Sequence, residues 1–216
     1  MRDNGLIMVR LPLFVFDMDD VLFDYDWRVR MTGLTALTGL EFPELRKRWW
    51  HDEGEWAAEA GRFADAAAYH AAFERALGHD IPVAEWVANR RSAMTPWPDS
   101  LAAVARAAEL GTVSLLTNNG PLAEAHLADL APELVPLFGA ELHTSSFYGA
   151  RKPDPTVFAN MLAYYGAPAG QVFFADDLEV NVEGARSVGI EAHRFTDAAS
   201  LLQAIERFAE RIGISI

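Results

Sequence analysis

The chain contains no cysteine among its 216 residues. Disulfide bonds, thiolate metal sites and a cysteine nucleophile are therefore excluded, and we predict a cytoplasmic location. Long hydrophobic runs are missing too, since no apolar stretch approaches the roughly 20 residues that a membrane-spanning helix needs. The apolar stretch of residues 6–16 is followed by acidic residues rather than a small-residue cleavage site, which predicts a buried strand instead of a signal peptide.

Positive charge is scarce in this sequence. There are 31 Asp and Glu against 18 Lys and Arg, which gives a formal net charge of −13. Such a surface repels nucleic acid and anionic lipid, because nucleic-acid binding depends on neutralising phosphates with Lys and Arg. We therefore expect neither nucleic acid nor a membrane as a partner. An enzyme of this charge that acts on anions has to concentrate positive charge locally, through a metal or a lysine.

The clearest secondary-structure signals are three short apolar runs that stop at a polar residue: residues 13–16, 113–116 and 172–175. Continuous apolarity is typical of strands buried on both faces of a parallel sheet. Weaker strand signals lie at 140–144 and 191–195, and helical periodicity covers 99–110, 156–165 and 198–212. Strands alternating with helices predict an α/β fold with a doubly wound, Rossmann-like parallel sheet.

Residues 24–97 break this alternation. The segment has a wholly helical pattern and holds all six tryptophans. We predict a helical cap inserted after the first strand, with residues 1–23 and 98–216 forming the core domain and residues 24–97 the cap domain. Most of the tryptophans are expected to pack inside the cap. By position alone, Asp24, Trp49, Trp50 and His51 are candidate substrate contacts, although cap core or surface is an equally good interpretation for each.

Two carboxylates, Asp17 and Asp19, come directly after the first predicted strand. Extended residues i and i+2 point the same way, so both side chains can reach one site. Adjacent carboxylates repel each other, which favours either a hard metal ion or a division into one ionised and one protonated group. A solvated acidic turn is the simpler interpretation of this motif by itself.

Three further polar motifs follow the predicted strands. Thr117 and Asn118 suit phosphate oxygens or a helix cap, Lys152 is a cation just before a helix, and Asp176-Asp177 with Asn181 adds oxygen ligands of the kind Mg²⁺ takes. Each motif by itself is also typical of an ordinary turn or loop. Together they lie at the carboxyl ends of strands in one sheet, which is where such folds bind ligands. The joint pattern therefore predicts a single catalytic site.

These motifs resemble those of the haloacid dehalogenase-like hydrolase superfamily, over nearly the whole chain. The helical insert is similar to the cap of its C1-capped members. The amino-acid sequences of residues 173–190 and 149–153 resemble those of a narrower group. That group includes bacterial α-D-glucose-1-phosphate phosphatases and the phosphatase domain of soluble epoxide hydrolases. The motifs that carry the resemblance are Asp17 with Asp19, Thr117, Lys152, and Asp176-Asp177 with Asn181.

The resemblance implies a Mg²⁺-dependent phosphatase acting on a small organic phosphomonoester, and the analogy with the narrower group favours a sugar phosphate. In that scheme Asp17 attacks phosphorus and forms an aspartyl-phosphate, and Asp19 is the general acid and base. Thr117 and the Asn118 backbone hold the phosphoryl oxygens, while Lys152 offsets negative charge at the nucleophile and the phosphate.

The same resemblance implies a metal site. Mg²⁺ would be held by the Asp17 carboxylate, the Asp19 backbone carbonyl and Asp177. Asp176 would lie behind these ligands, and Asn181 would support the loop or a water ligand. The six histidines show no metal-ligand spacing, and none is assigned a function.

Two residues depart from the pattern of many members. Asp20 stands where glycine or asparagine is common, and it either weakens phosphate binding or turns to solvent. Val21 replaces a threonine, although an aliphatic residue is frequent in the narrower group.

Other functions stay open on the sequence. A phosphomutase needs the same two aspartates. A 2-haloacid dehalogenase shares the fold, but generally lacks the second Asp of the first motif and needs no metal, so Asp19 and Asp177 argue against it. A signalling receiver uses similar residue types without a cap. A binding protein that has lost catalysis is the last alternative, and the oligomeric state is not predicted.

Overall fold

The computed structural model of the protein describes residues 12–214. The first predicted strand is confirmed over Leu13–Phe16, and residues 6–11 of the predicted apolar stretch lie outside the described residues. Within the described part of the chain, no helix has both the length and the apolar character needed to cross a membrane. The strands are β1 (Leu13–Phe16), β2 (Phe23–Tyr25), β3 (Met94–Pro96), β4 (Thr112–Leu115), β5 (Val172–Asp176) and β6 (Glu191–Arg194).

A four-stranded parallel sheet in the order β4-β1-β5-β6 forms the centre of the fold. β1 is paired on both sides and all four of its residues are fully buried, which explains its unbroken apolar sequence. The predicted strand at 191–195 is confirmed as β6. Because all these strands are parallel, their carboxyl ends meet at one edge of the sheet.

Helices cover both faces of this sheet, which confirms the doubly wound α/β fold. The helices are α1 (Trp27–Thr38), α2 (Phe42–Trp49), α3 (Glu55–Glu59), α4 (Ala66–Leu77), α5 (Val83–Ser92), α6 (Pro98–Leu110), α7 (Pro121–Ala125), α8 (Leu127–Leu130), α9 (Val135–Phe138), α10 (Ser145–Tyr148), α11 (Pro155–Tyr165), α12 (Glu179–Ser187) and α13 (Ala198–Arg211). Phe14 and Phe16 pack with α6 and α13, whereas Leu13 and Val15 pack with α11 and α12. The side-chain alternation of one strand thus serves two separate cores.

The helices α1–α5 form a layer with its own hydrophobic core, in which Trp49, Phe73 and Trp86 are buried. This core extends to Leu122 and Leu130 on α7 and α8, so the cap layer is packed against the sheet domain. The division of the chain at residues 24–97 stays a prediction.

The prediction that residues 24–97 are wholly helical is wrong at both ends. Phe23–Tyr25 pairs antiparallel with Met94–Pro96. The chain enters and leaves the cap at this place, so the two crossing segments run side by side in opposite directions and satisfy each other's backbone groups.

The predicted strand at residues 140–144 is also wrong. Leu115 N donates to Glu141 O at 2.9 Å, and Thr144 makes one isolated bridge with Thr117. Ser145 N donates to Thr117 O at 2.8 Å, whereas the Thr144 N–H donates to the Glu124 carboxylate, so this segment meets β4 and the loop after it at separate points rather than as a strand.

Candidate active site

Asp17 is the first residue after β1, and its backbone N–H donates to Ala175 O of β5 at 2.9 Å. Its side chain is buried between the strand ends, with Oδ1 accepting from the Met18 N–H at 2.8 Å. Burial raises the pKa of Asp17 well above its ordinary value; Lys152 opposes this rise and Asp176 adds to it. A buried carboxylate in this position needs a nearby cation in order to be ionised.

Lys152 provides such a cation. Its ammonium Nζ lies 2.8 Å from Asp17 Oδ1 and 2.7 Å from Asp176 Oδ2, and the side chain is almost completely buried. Burial by itself would lower the pKa of Lys152, but the two carboxylates outweigh it and raise that pKa. The lysine is therefore charged and is fixed between the ends of β1 and β5.

Asp176 is fully buried, and donors occupy both of its oxygens. Oδ1 accepts from Leu178 N at 2.9 Å, and Asn181 Nδ2 lies 2.9 Å from Oδ1 and 3.0 Å from Oδ2. With Lys152 on Oδ2 as well, this carboxylate is held in place behind Asp17. Asn181 acts on the cluster through Asp176.

Asp17, Asp176 and Asp177 form an acidic cluster, since each offers an oxygen within 4.8 Å of the others'. Asp177 is half-buried, and burial, followed by the charges of Asp176 and Asp20, raises its pKa to about 6. This rise means that negative charge in the cluster is under-compensated by the surrounding protein. An all-oxygen donor set with excess negative charge fits a hard divalent cation such as Mg²⁺.

Asp20 follows the motif in the left-handed region, with a φ of 58°. That conformation favours glycine and asparagine, the residues that the resemblance implies at this position. The exposed Asp20 donates its N–H to Phe23 O at 2.7 Å. It has turned away toward solvent, yet its charge still raises the pKa of Asp177.

The loop after β4 carries Thr117 and Asn118. Leu116 N donates to Phe16 O at 2.9 Å, so this loop leaves the sheet beside Asp17. The Thr117 hydroxyl is buried and accepts from Asn119 Nδ2 at 3.0 Å. The Asn118 side chain bonds the backbone of Lys152 in both directions, each bond being 2.9 Å. Thr117, Asn118 and Lys152 thus belong to one connected structure.

Asp19 is placed differently from the other acids. Its Oδ2 accepts from Arg90 Nη2 at 2.5 Å, and Arg90 is on α5 of the cap layer. Asp19 also lines a cavity of about 420 Å³ between the sheet edge and the cap helices. The cavity wall comprises Asp19, Tyr25, Trp27, Arg30, Met31, Phe42, Arg46, Trp50, Glu55, Trp56, Glu59, Arg90, Asn118 and Asn119.

The four candidate substrate contacts in the cap lie in different places in the structure. Trp50 lines the cavity. Trp49 is packed in the cap core and donates to Glu55 Oε2 at 2.6 Å, which agrees with the cap-core interpretation of this residue. Asp24 is exposed on β2, and the His51 ring lies 3.1 Å from Arg48 O, so both remain outside the cavity wall given above.

A family model described as haloacid dehalogenase-like hydrolase matches residues 11–189. The chain belongs to this family. As a haloacid dehalogenase-like hydrolase it is 26% identical, over 212 residues, to "Phosphatase MT3486" of Mycobacterium tuberculosis (strain CDC 1551 / Oshkosh), a match that covers 92% of this chain and 94% of the relative.

Solved structures share the haloacid dehalogenase-like fold. A family enzyme from Bacteroides thetaiotaomicron, bt-2542, solved with magnesium and inorganic phosphate, superposes with a TM-score of 0.67 at 18% identity, covering 86% of this chain and 94% of that one. L-2-haloacid dehalogenase from Xanthobacter autotrophicus superposes with a TM-score of 0.59 at 22% identity, covering 88% and 80%. At these identities the likeness shows the fold.

Sequence reasoning about this haloacid dehalogenase-like chain missed Arg90. The only local signal is the pair Arg90-Arg91 in the last turn of α5, just before the chain returns to the sheet domain. That pair resembles an ordinary basic helix C-terminus, and nothing in the sequence assigns it to Asp19.

Proposed function

We propose that this protein is a Mg²⁺-dependent phosphatase that hydrolyses a small organic phosphomonoester. The observation that carries the proposal is the Lys152 ammonium fixed between Asp17 and Asp176 beside the under-compensated carboxylate of Asp177. A buried nucleophilic carboxylate, a fixed cation and an oxygen-rich metal site are what phosphoryl transfer requires, because positioning and charge neutralisation carry that reaction.

In the proposed reaction, an Asp17 oxygen attacks phosphorus, the ester P–O bond breaks, and Asp19 gives its proton to the leaving oxygen. Water then attacks the aspartyl-phosphate, its proton goes to Asp19, and the bond between phosphorus and Asp17 breaks to release inorganic phosphate. Thr117 and the Asn118 backbone bind the phosphoryl oxygens, and Lys152 neutralises charge. Acid–base help of this kind is typically worth about 10²–10⁴-fold in rate.

The Asp17 carboxylate, the Asp19 backbone carbonyl and Asp177 are the proposed Mg²⁺ ligands, with Asp176 and Asn181 supporting them. When bound, the ion supplies positive charge that draws the phosphate to a protein of strongly negative net charge. Three carboxylates within reach of one another support this assignment.

The cap of residues 24–97 is proposed to close over the sheet edge and exclude water. The substrate class rests on the resemblance to glucose-1-phosphate phosphatases and epoxide hydrolase phosphatase domains, which favours a sugar phosphate. The phosphatase name of the mycobacterial relative and the magnesium and phosphate of the Bacteroides enzyme agree with the reaction class. A cytoplasmic location remains part of the proposal.

The test is phosphate release from a broad panel of phosphomonoesters, in Mg²⁺ or in EDTA. Wild type is compared with Asp17→Asn and with Asp129→Asn, the same change at a largely exposed carboxylate on α8. We expect Mg²⁺-dependent release by wild type and Asp129→Asn, and loss of at least about 10³-fold in Asp17→Asn. Release that survives in Asp17→Asn would mean that the nucleophile is wrongly assigned.

Two other reactions on this fold are separated by product. Halide release from a 2-haloacid in EDTA would favour the dehalogenase, with which the chain shares its fold. An isomerised sugar phosphate, without free phosphate, would favour a phosphomutase.

A further inference from the structure

Arg90 crosses from the cap layer to the reactive edge of the sheet domain. It lies in the last turn of α5, its side chain is only 1% exposed, and its guanidinium stacks over the Tyr25 ring at 4.0 Å. Nη2 donates to Asp19 Oδ2, and the two residues are 71 positions apart in the chain. A single charge-assisted hydrogen bond therefore joins the cap to the proposed acid–base residue.

The ion pair is incomplete at both ends. Arg90 Nε and Nη1 are buried without a hydrogen-bond partner among the described residues, and so is Asp19 Oδ1. Buried guanidinium groups that serve stability normally have their donors satisfied, since an unsatisfied buried donor is costly. The unpaired donors of Arg90 therefore indicate that its position against Asp19 has a role other than stability.

Arg91 shows what a structural arginine looks like on the same helix. It is 39% exposed, donates to both oxygens of Glu133 at 2.8 and 3.3 Å, and donates to Leu130 O at 2.7 Å. Its bonds attach α5 to the neighbouring helical segment and involve none of the acidic cluster. Arg91 is therefore a matched control for Arg90.

We infer that Arg90 is a positioning residue that acts through Asp19: by holding Oδ2, it fixes the orientation of the carboxylate that takes part in proton transfer. Tyr25 and the burial of the Arg90 side chain hold the guanidinium, so the orientation of Asp19 depends on cap packing. The inference rests on the proposed function, and it assigns the cap a part in the chemistry besides covering the site.

The first test is the kinetics of Arg90→Met, which keeps an unbranched apolar side chain on the Tyr25 ring. We expect kcat to fall by about 10–100-fold with little change in KM, because orientation of an acid–base group affects the reacting state and not substrate binding. The loss should be larger for alkyl phosphates than for aryl phosphates with acidic leaving groups, which need less protonation. Arg90→Lys should recover part of kcat, since an ammonium can still donate to Oδ2.

The second test is a double-mutant cycle with Asp19→Asn. Because Arg90 is inferred to act through Asp19, adding Arg90→Met to Asp19→Asn should cause little further loss, whereas independent effects would multiply. Arg91→Met should keep wild-type kcat. Melting temperatures of all variants identify any loss that comes from unfolding, and Arg90→Lys provides the cycle if Arg90→Met does not fold.

The outcomes separate the two claims. Wild type that releases no phosphate from any ester in the panel overturns the proposed function and this inference with it. Active wild type combined with an unchanged kcat in folded Arg90→Met, or with multiplicative losses in the cycle, overturns the positioning role alone. A loss confined to KM would also contradict it, because that result indicates substrate binding.

Discussion

Asn118 and Lys152 exchange two hydrogen bonds of 2.9 Å: Oδ1 of Asn118 accepts from the Lys152 N–H, and Nδ2 donates to the Lys152 carbonyl. The loop after β4 is thereby attached to the loop before α11, 34 positions further along the chain. This pairing fixes the backbone from which the lysine side chain reaches Asp17. The Thr117-Asn118 motif and the lysine motif are thus one structural unit.

Replacing Lys152 by Met should reduce kcat by roughly 10²–10³-fold, as expected when one preorganised charge is removed from a reacting centre. The Asp17 and Asp176 carboxylates lose the cation between them. Less positive charge then remains to offset the repulsion between the Asp17 carboxylate and an anionic phosphate. Steady-state phosphate release under saturating Mg²⁺ measures the effect. The chain has one other lysine, the exposed Lys47 on α2, and Lys47→Met is the control expected to behave as wild type. Near-normal kcat in folded Lys152→Met would refute the role.

The affinity of the protein for Mg²⁺ should increase as the pH rises from about 5 to about 7. Asp177 has a pKa of about 6 without metal, so below that pH a proton competes with the cation for its carboxylate. Isothermal titration with Mg²⁺ between about pH 5 and pH 7 tests this, with an expected change approaching tenfold per pH unit on the acid side. In Asp20→Asn the midpoint should move to lower pH, because the Asp20 charge raises the pKa of Asp177. Affinity independent of pH over this range would contradict the assignment.

Glu59 should make the folded protein less stable as the pH rises. Burial, followed by Glu55, raises the pKa of Glu59 from 4.5 to about 7, although Arg151 opposes the rise with an ion pair of 2.6 Å. The folded state therefore holds the Glu59 proton more tightly than the unfolded state does. The resulting contribution to the free energy of unfolding is fully present below about pH 4.5 and is lost as the pH rises through about 7. The loss amounts to at most roughly 3 kcal/mol.

Urea unfolding in EDTA at several pH values between about 4.5 and 7.5 measures this slope. Glu59→Gln should remove part of the decline in the free energy of unfolding, whereas Glu183→Gln, at an exposed position on α12, should leave it unchanged. Equal slopes in wild type and Glu59→Gln would show that Glu59 does not titrate in this window.

Gly120→Ala should loosen the contact between the cap and the sheet domain. A Cβ at this position would lie 2.8 Å from Ala58 Cβ and 3.1 Å from Tyr69 Cε2, both in the cap layer. Overpacking of this kind costs roughly 1–3 kcal/mol of unfolding free energy, and we also expect a higher KM because the cavity wall is displaced. Gly170→Ala, where a Cβ meets no atom within 4 Å, is the control. A melting temperature and KM equal to those of wild type would exclude the effect.

Patterns local in the chain predicted the central part of this protein. The apolar runs of β1, β4 and β5 are continuous because these strands are buried on both faces of the sheet, and helical periodicity identified α6, α11 and α13. The approach of Asp17 and Asp176 also followed from sequence, because the parallel strands β1 and β5 end at one edge of the sheet. Lys152 was expected at the same edge, but it lies between α10 and α11 rather than at a strand end, and Asn118 holds its backbone there. Their catalytic roles stay predictions.

The tertiary structure decided what no local pattern encodes. The β2–β3 ribbon exists because two segments about seventy residues apart pass side by side between the cap and the sheet domain, and residues 140–144 contact β4 and the loop after it only at isolated points. Trp49 and Trp50 are neighbours in the chain, yet one is in the cap core and the other lines the cavity. The pairing of Arg90 with Asp19 depends on how the cap helices pack over the sheet edge, and only the folded chain brings those distant side chains into contact.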